Sequence, residues 1–283
     1  MRITNNKKPS VWPQNWGNKT SIMGILNVTP DSFSDGGDFF SIDKAIKRTR
    51  EYISQGVDII DLGAQSTRPG AFEIGSSEEI KRLLPILKEI RTNFPNQLIS
   101  VDTFHSEVAY ETLSSGANWI NDVTGGRRDN RILDVVSDFN CPFVITHSRG
   151  NSQTMNNLSS YEDLINNIIS SLKDLTEKAL NKRIEENNIL WDPGLGFSKN
   201  TKQNIDILKN IITFKEEGFP LLIGASRKRF IGDLLNIKEP KDRDIGSLAI
   251  SCFCSYLNID VVRVHNVKLN SQILKVSDSI YRD

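Results

Sequence analysis

The stretch Val57–Asp61, VDIID, is a short apolar run that stops on a carboxylate, and the chain repeats this design about eight times. On either side lie the runs Ile22–Leu26, ending at Asn27, Leu98–Val101, ending at Asp102, and Trp119–Ile120, ending at Asn121. Phe143–Ile145 ends near His147 and Ile189–Trp191 at Asp192. Leu221–Ile223 leads to Ser226, Arg227 and Lys228, and Ile259–Val262 to Arg263 and His265. Runs this short, rich in Ile and Val and separated by helix-length amphipathic segments, read as buried parallel strands of βα units. Like-directed strands bring their last residues to one rim. The expected fold class is therefore α/β: a single (βα)8 TIM barrel over residues 21–283, preceded by an extension over residues 1–20.

Composition agrees with that frame. The 283 residues suit one such barrel. The 35 basic and 35 acidic residues cancel, which argues against nucleic acid or a membrane surface as a partner held by bulk charge. Cys141, Cys252 and Cys254 make no disulfide framework and read as small buried residues of a reducing compartment. With no apolar leader in Met1–Thr20 and no run of membrane-spanning length, the expected location is the cytoplasm.

Crossover helices are expected at Ile42–Ser54, Glu78–Thr92, Ser106–Ser114, Arg131–Asp138, Tyr161–Arg183 and Thr201–Phe214. A split segment, Lys228–Leu235 plus Ile245–Leu257, and Lys268–Ser279 complete the set. Ser77 and Asp163 read as helix starts, and Gly56, Gly116 and Gly218 as helix ends. Two connections exceed plain barrel loops: VTPDSFSDGGDFFS after strand 1 and AQSTRPGAFEIGSS after strand 2. Long loops over a bowl, carrying named polar groups, are expected to be lids.

The rim offers carboxylates (Asp61, Asp102, Asp192), carboxamides (Asn27, Asn121) and a cluster of Arg227, Lys228, Arg263 and His265. No HExxH, nucleophile elbow, GxxxxGK[ST] or GxGxxG is present. Several carboxylates at one mouth need a partner, and a flat ligand edge with adjacent N–H groups supplies one. The cations suit a phosphate group beside strands seven and eight. One oxygen from Asn27 is enough to share a Mg²⁺ with phosphate and water.

Seven ordered segments, MGILNVTPDSFSDGG, DLGAQSTRPG, SVDT, NDVTGG, DPGLGF, GASRKRFIG and RVHNV, closely resemble dihydropteroate synthase. The resemblance spans Met23 to about Val267 and sits at strand ends throughout. It implies a folate-pathway transferase that joins 4-aminobenzoate to the methylene carbon of a 7,8-dihydropterin diphosphate and releases diphosphate. By the same resemblance, Asp102, Asn121, Asp192 and Lys228 line the pterin pocket. Asn27, with Mg²⁺, Thr67, Arg263 and His265 hold the diphosphate. Asp31, Phe33, Thr67, Arg68, Pro69, Ser226 and Arg227 face 4-aminobenzoate. Asp102, Lys228, Arg263 and His265 carry the catalytic roles. A homodimer through late helices such as Ile245–Leu257, and sulfonamide inhibition, are further implications. Ala64, Gln65, Thr146 and Asn266 depart from the usual Gly-Glu, Met and Asp. A methyltetrahydrofolate-dependent corrinoid methyltransferase shares the barrel but needs neither the TPDSFSDGG and STRPG segments nor a diphosphate clamp.

Overall fold

The computed structural model describes residues 11–28, 38–65 and 71–282, and the side chains of all of these but 38–41. Within them the expected barrel is present. Eight parallel strands, β1 (Ser21–Asn27), β2 (Ile59–Gly63), β3 (Leu98–Asp102), β4 (Trp119–Asp122), β5 (Phe143–Thr146), β6 (Ile189–Asp192), β7 (Leu222–Ile223) and β8 (Val261–Val264), pair in the order β6-β5-β4-β3-β2-β1-β8-β7. An isolated bridge between Trp191 and Leu221, with the Trp191 N–H donating to Pro220 at 2.9 Å, brings the two edge strands together and closes the ring. Outside it lie α1 (Asp38–Ser54), α2 (Ser76–Asn93), α3 (Ser106–Ser114), α4 (Arg131–Phe139) and α5 (Leu164–Asn181). The ring of helices continues with α6 (Thr201–Lys209), α7 (Ile211–Lys215), α8 (Arg229–Leu235), α9 (Asp244–Tyr256) and α10 (Val267–Tyr281).

Strand parity separates two cores. Outward-facing residues such as Ile60, Leu62, Ile99, Val101, Ile145, Trp191 and Val262 join one large cluster with the helices. Inside the barrel, Met23, Ile59, Trp119, Val144, Leu190, Leu222 and Val261 form a second cluster, with Leu98 packed against it. Both strand faces are therefore buried, which is why the sequence shows runs and not alternation. Trp12 and Trp16 also pack on this inner cluster, their rings 5.0 and 6.1 Å from that of Trp119. Trp12 and Trp16 thus plug the N-terminal mouth of the barrel, a role that the polar stretch around them conceals. Because side chains alternate, the next inward positions are two residues on: Ile25, Asp61, Ser100, Asn121, Thr146, Asp192, Gly224 and Arg263. The apolar floor thus carries a mostly polar layer directly above it.

Several element boundaries differ from expectation. α1 starts at Asp38, so Asp38–Ser41 are helix and not loop. α2 starts at Ser76 behind an extended Gly75 that makes no side-chain cap, so Ser77 is not the cap. Thr201–Phe214 is two helices broken at Asn210. α5 begins at Leu164, with Asp163 capping it by accepting from the Asn166 N–H at 3.2 Å. Gly56, Gly116 and Gly218 follow helix ends with positive φ, as read from the sequence. The expected lids fall largely on residues 29–37 and 66–70. These lie outside the described residues, and with them Asp31, Phe33, Thr67, Arg68 and Pro69. No helix among the described residues is long and apolar enough to cross a membrane.

Candidate active site

Arg263 organises the mouth. It leaves β8 on the inner face and crosses to β2 and β3, donating from Nε to Asp61 Oδ2 at 2.6 Å and from Nη2 to Asp102 Oδ2 at 2.7 Å. Asn121 Nδ2 donates to the same Asp61 oxygen at 3.2 Å. Burial opposes the Arg263 charge, but Asp61 and Asp102 outweigh it and hold the guanidinium above its ordinary range. Asp102 goes the other way. Burial pushes its carboxyl up to about 7, with Arg263 opposing and Asp61 adding to the rise.

The other sequence-assigned groups share this mouth. A Cβ placed on Gly63 would stand 3.6 Å from Asn27 Oδ1 and 3.8 Å from Asp102 Cγ, which puts the carboxamide beside that carboxylate. A Cβ on Gly224 would stand 3.8 Å from Asp192 Oδ2 and 3.9 Å from Arg263 Cβ. Asp192 is buried and raised by that burial, against the pull of Lys228 and of the Gly194 N–H, which donates to Oδ1 at 2.7 Å. Lys228 lies 4.4 Å above the Phe197 ring and donates to the Leu195 carbonyl. Burial lowers its ammonium to about 8, with Asp192 resisting. Asn27, Asp102, Asn121, Asp192, Lys228 and Arg263 therefore converge on one cup.

His265 and Ser226 join the ends of β8 and β7. The Ser226 hydroxyl lies 3.0 Å from His265 Nδ1 and accepts from the His265 N–H at 3.1 Å. Arg227 turns elsewhere. It sits at φ +59° and its guanidinium makes a two-pronged pair with Asp244 of α9 at 2.7 and 2.9 Å. Asn266, the departure after His265, donates to the same carboxylate at 2.8 Å and caps α10 by accepting from the Leu269 N–H. Gln65 accepts from the Ile74 N–H at 3.2 Å and so braces the foot of the second loop.

Two features of the site were not read from the sequence. Asp61 was seen as a rim carboxylate but given no role, although it holds both Arg263 and Asn121. Lys199 was passed over altogether. Its Nζ donates to Gly194 O and Phe197 O, both at 2.9 Å, and lies 2.9 Å from His147 Nδ1, stapling the turn that presents Asp192 and Phe197, while burial holds the amine well below the ordinary lysine range. Burial, then Lys199, depresses the His147 imidazole to about 2, so it stands neutral as the acceptor. Only its place two residues beyond DPGLGF marks Lys199 in the sequence. The three cysteines are unpaired, and burial pushes the Cys141 and Cys254 thiols up to about 12.

Comparison with known proteins gives the family. Residues 23–265 match the family model described as pterin binding enzyme. A curated dihydropteroate synthase from Synechocystis is 42% identical over 267 residues, 94% of this chain and 92% of its own length. The chain belongs to the dihydropteroate synthase family. Relatives of that name are pterinylmethyl transferases. Among solved structures, dihydropteroate synthase from Clostridium difficile in the presence of pteroic acid superposes with a TM-score of 0.89. It shares 39% identity and covers 95% of this chain and 99% of its own. The Xanthomonas albilineans dihydropteroate synthase with 4-aminobenzoic acid superposes with a TM-score of 0.87 at 34% identity, covering 93% and 94%.

Proposed function

We propose that this chain joins 4-aminobenzoate to the methylene carbon of a 7,8-dihydropterin diphosphate, yielding 7,8-dihydropteroate and diphosphate. The observation that carries the reading is the cup itself, which gathers Asp102, Asn121, Asp192, Lys228 and Arg263 above an apolar floor. Asp192 offers a carboxylate to the amino-pyrimidine edge, a two-point pairing that a buried anion requires. Asn121 and Asp102 hydrogen-bond the rest of the ring, and Lys228 faces the ring carbonyl and N5 region. Arg263 already uses Nε and Nη2 on Asp61 and Asp102, so Nη1 is the arm assigned to the diphosphate, with His265 beside it. Thr67 is assigned to the same group. Ser226 and the loop residues Asp31, Phe33, Arg68 and Pro69 are assigned to 4-aminobenzoate. Arg227, held by Asp244, would support that side by fixing the turn.

In the reaction the methylene C–O bond to diphosphate breaks and the arylamine N–C bond forms, with loss of an amine proton. No enzymatic nucleophile is needed. Arg263 and His265 meet the charge on the departing group, and the Asp102 carboxylate stabilises positive charge on the pterin methylene, both preorganised electrostatic effects. The donor set fits Mg²⁺ bound jointly with substrate. Asn27 provides one hard oxygen beside Asp102, and no cluster of three or more His, Cys, Asp or Glu among the described residues could hold a metal ion unaided. When bound, the ion would withdraw charge from the leaving diphosphate. Exposed Ile245 and Tyr256 of α9, with Val276, Ile280 and Tyr281 of α10, form an apolar face that suits a homodimer. Light scattering that shows a monomer at micromolar concentration would remove that part. Free, unpaired thiols suit the cytoplasm, and sulfonamides, as mimics of 4-aminobenzoate, should compete with it. The deciding experiment is a diphosphate-release assay with both substrates, with and without Mg²⁺. Release that requires 4-aminobenzoate and Mg²⁺ is expected, and no release under any condition overturns the reading.

A further inference from the structure

Thr146 ends β5 on the inner face, two residues beyond Val144 of the barrel floor and in register with Asp192 of β6. It is 1% exposed, and its Oγ1 finds no hydrogen-bond partner among the described residues. Its neighbours explain why. Asp192 Oδ1 accepts from the Gly194 N–H, and Oδ2 lies on the side of Gly224, at the end of the neighbouring β7 and away from β5. The Thr146 methyl sits against the turn, 3.3 Å from where a Gly194 Cβ would stand. Its carbonyl, not its hydroxyl, is the group that Arg127 approaches. A buried hydroxyl with no partner is unfavourable, and a strand end inside a ligand cup is where a bound molecule can supply one.

We propose that the Thr146 hydroxyl recognises the heterocycle itself, pairing with a nitrogen or the exocyclic amine of an aminopyrimidinone ring seated on Asp192. This deepens the reading of Asp192 given above and rests on it. A hydroxyl both donates and accepts, so it can complement a ring edge that alternates donor and acceptor groups, where the neighbouring Asp192 carboxylate accepts only. Thr146 thereby becomes a specificity residue for the pterin and has no part in holding 4-aminobenzoate.

Calorimetry with the dihydropterin diphosphate on the intact chain tests this with Thr146→Val, Thr146→Ser and Asp192→Ala. Valine keeps the shape and deletes the hydroxyl, so affinity should fall roughly five-fold, the weight of one ordinary hydrogen bond. Serine keeps the hydroxyl and should bind within about two-fold of the parent. The unliganded valine variant should melt no lower than the parent, since it replaces an unpartnered hydroxyl by a methyl group, yet the pterin-induced rise in melting temperature should be smaller. The KM for 4-aminobenzoate should not move. Should the valine chain fail to fold, Thr146→Ala against Thr146→Ser gives the same comparison. Undiminished pterin affinity in the valine variant, or equal weakening by serine, overturns the proposal. Loss of binding in Asp192→Ala alongside an unchanged valine variant sinks only the role of Thr146. Retained binding in Asp192→Ala sinks the pterin reading of the cup as well.

Discussion

Replacing Arg263 by Met should cost far more stability than its place at a pocket mouth suggests, and the cost should depend on pH. The side chain is 20% exposed, Asp61 is fully buried, and Asp102 is 11% exposed. Removing the cation leaves two carboxylates facing each other without the guanidinium that bridges them, which for a buried pair costs about 3–5 kcal/mol. The sign follows from Asp102. Burial already raises its carboxyl to about 7 in the parent, and Arg263 is the largest influence pulling it down. Without Arg263 it rises further above the unfolded value of about 3.9. A folded state that binds more protons than the unfolded one gains stability as pH falls. The deficit of the variant should thus be greatest above pH 8 and shrink toward pH 6. The shrinkage should be about 1.4 kcal/mol for every unit by which Asp102 has moved. Urea unfolding followed by tryptophan fluorescence at both pH values measures it. Adding Asp61→Asn and Asp102→Asn should restore much of the loss, because the penalty belongs to unpaired charge. A deficit below about 1 kcal/mol, or one equal at both pH values, would refute the reasoning.

Other consequences are as definite. The pH profile of kcat/KM should be a narrow bell. Activity should fall below about 7 as Asp102 takes a proton, and above about 8 as Lys228 loses one. The limbs belong to the coupled cluster, and Asp102→Asn should abolish the acid one, whereas a flat profile would contradict it. Gly194→Ala should lower both melting temperature and pterin affinity, because Gly194 sits at φ +72° and a Cβ there would overlap the His147 carbonyl oxygen. Unchanged affinity would show that the turn does not set Asp192. Trp12→Ala should cost about 2–3 kcal/mol in urea unfolding while leaving both KM values alone, since Trp12 packs on the floor and not in the cup. Parent-like unfolding would remove the plug.

Much of the barrel and most of the cup were readable because parallel strands bury both faces and end at one rim. Each apolar run therefore pointed at its own functional residue, and Asn27, Asp102, Asn121, Asp192, Lys228 and Arg263 were found in that way and through the family resemblance. What escaped depends on contacts between distant segments. Trp12 and Trp16 lie in a polar stretch and gain meaning only against Trp119. Lys199 looks like any helix-flanking lysine until the turn folds its Nζ onto carbonyl and ring acceptors. The direction of Arg227 is set by a left-handed backbone and by Asp244, neither of which strand periodicity reveals. The break at Asn210 was hidden because apolar spacing continues through it.

The cup stands or falls as a pterin site on one titration: dihydropterin diphosphate into the parent chain and into Asp192→Ala, at matched pH and Mg²⁺. The account predicts clear binding to the first and none measurable to the second, with Asp192→Ala still folded by its melting curve. Equal affinity for both would contradict it.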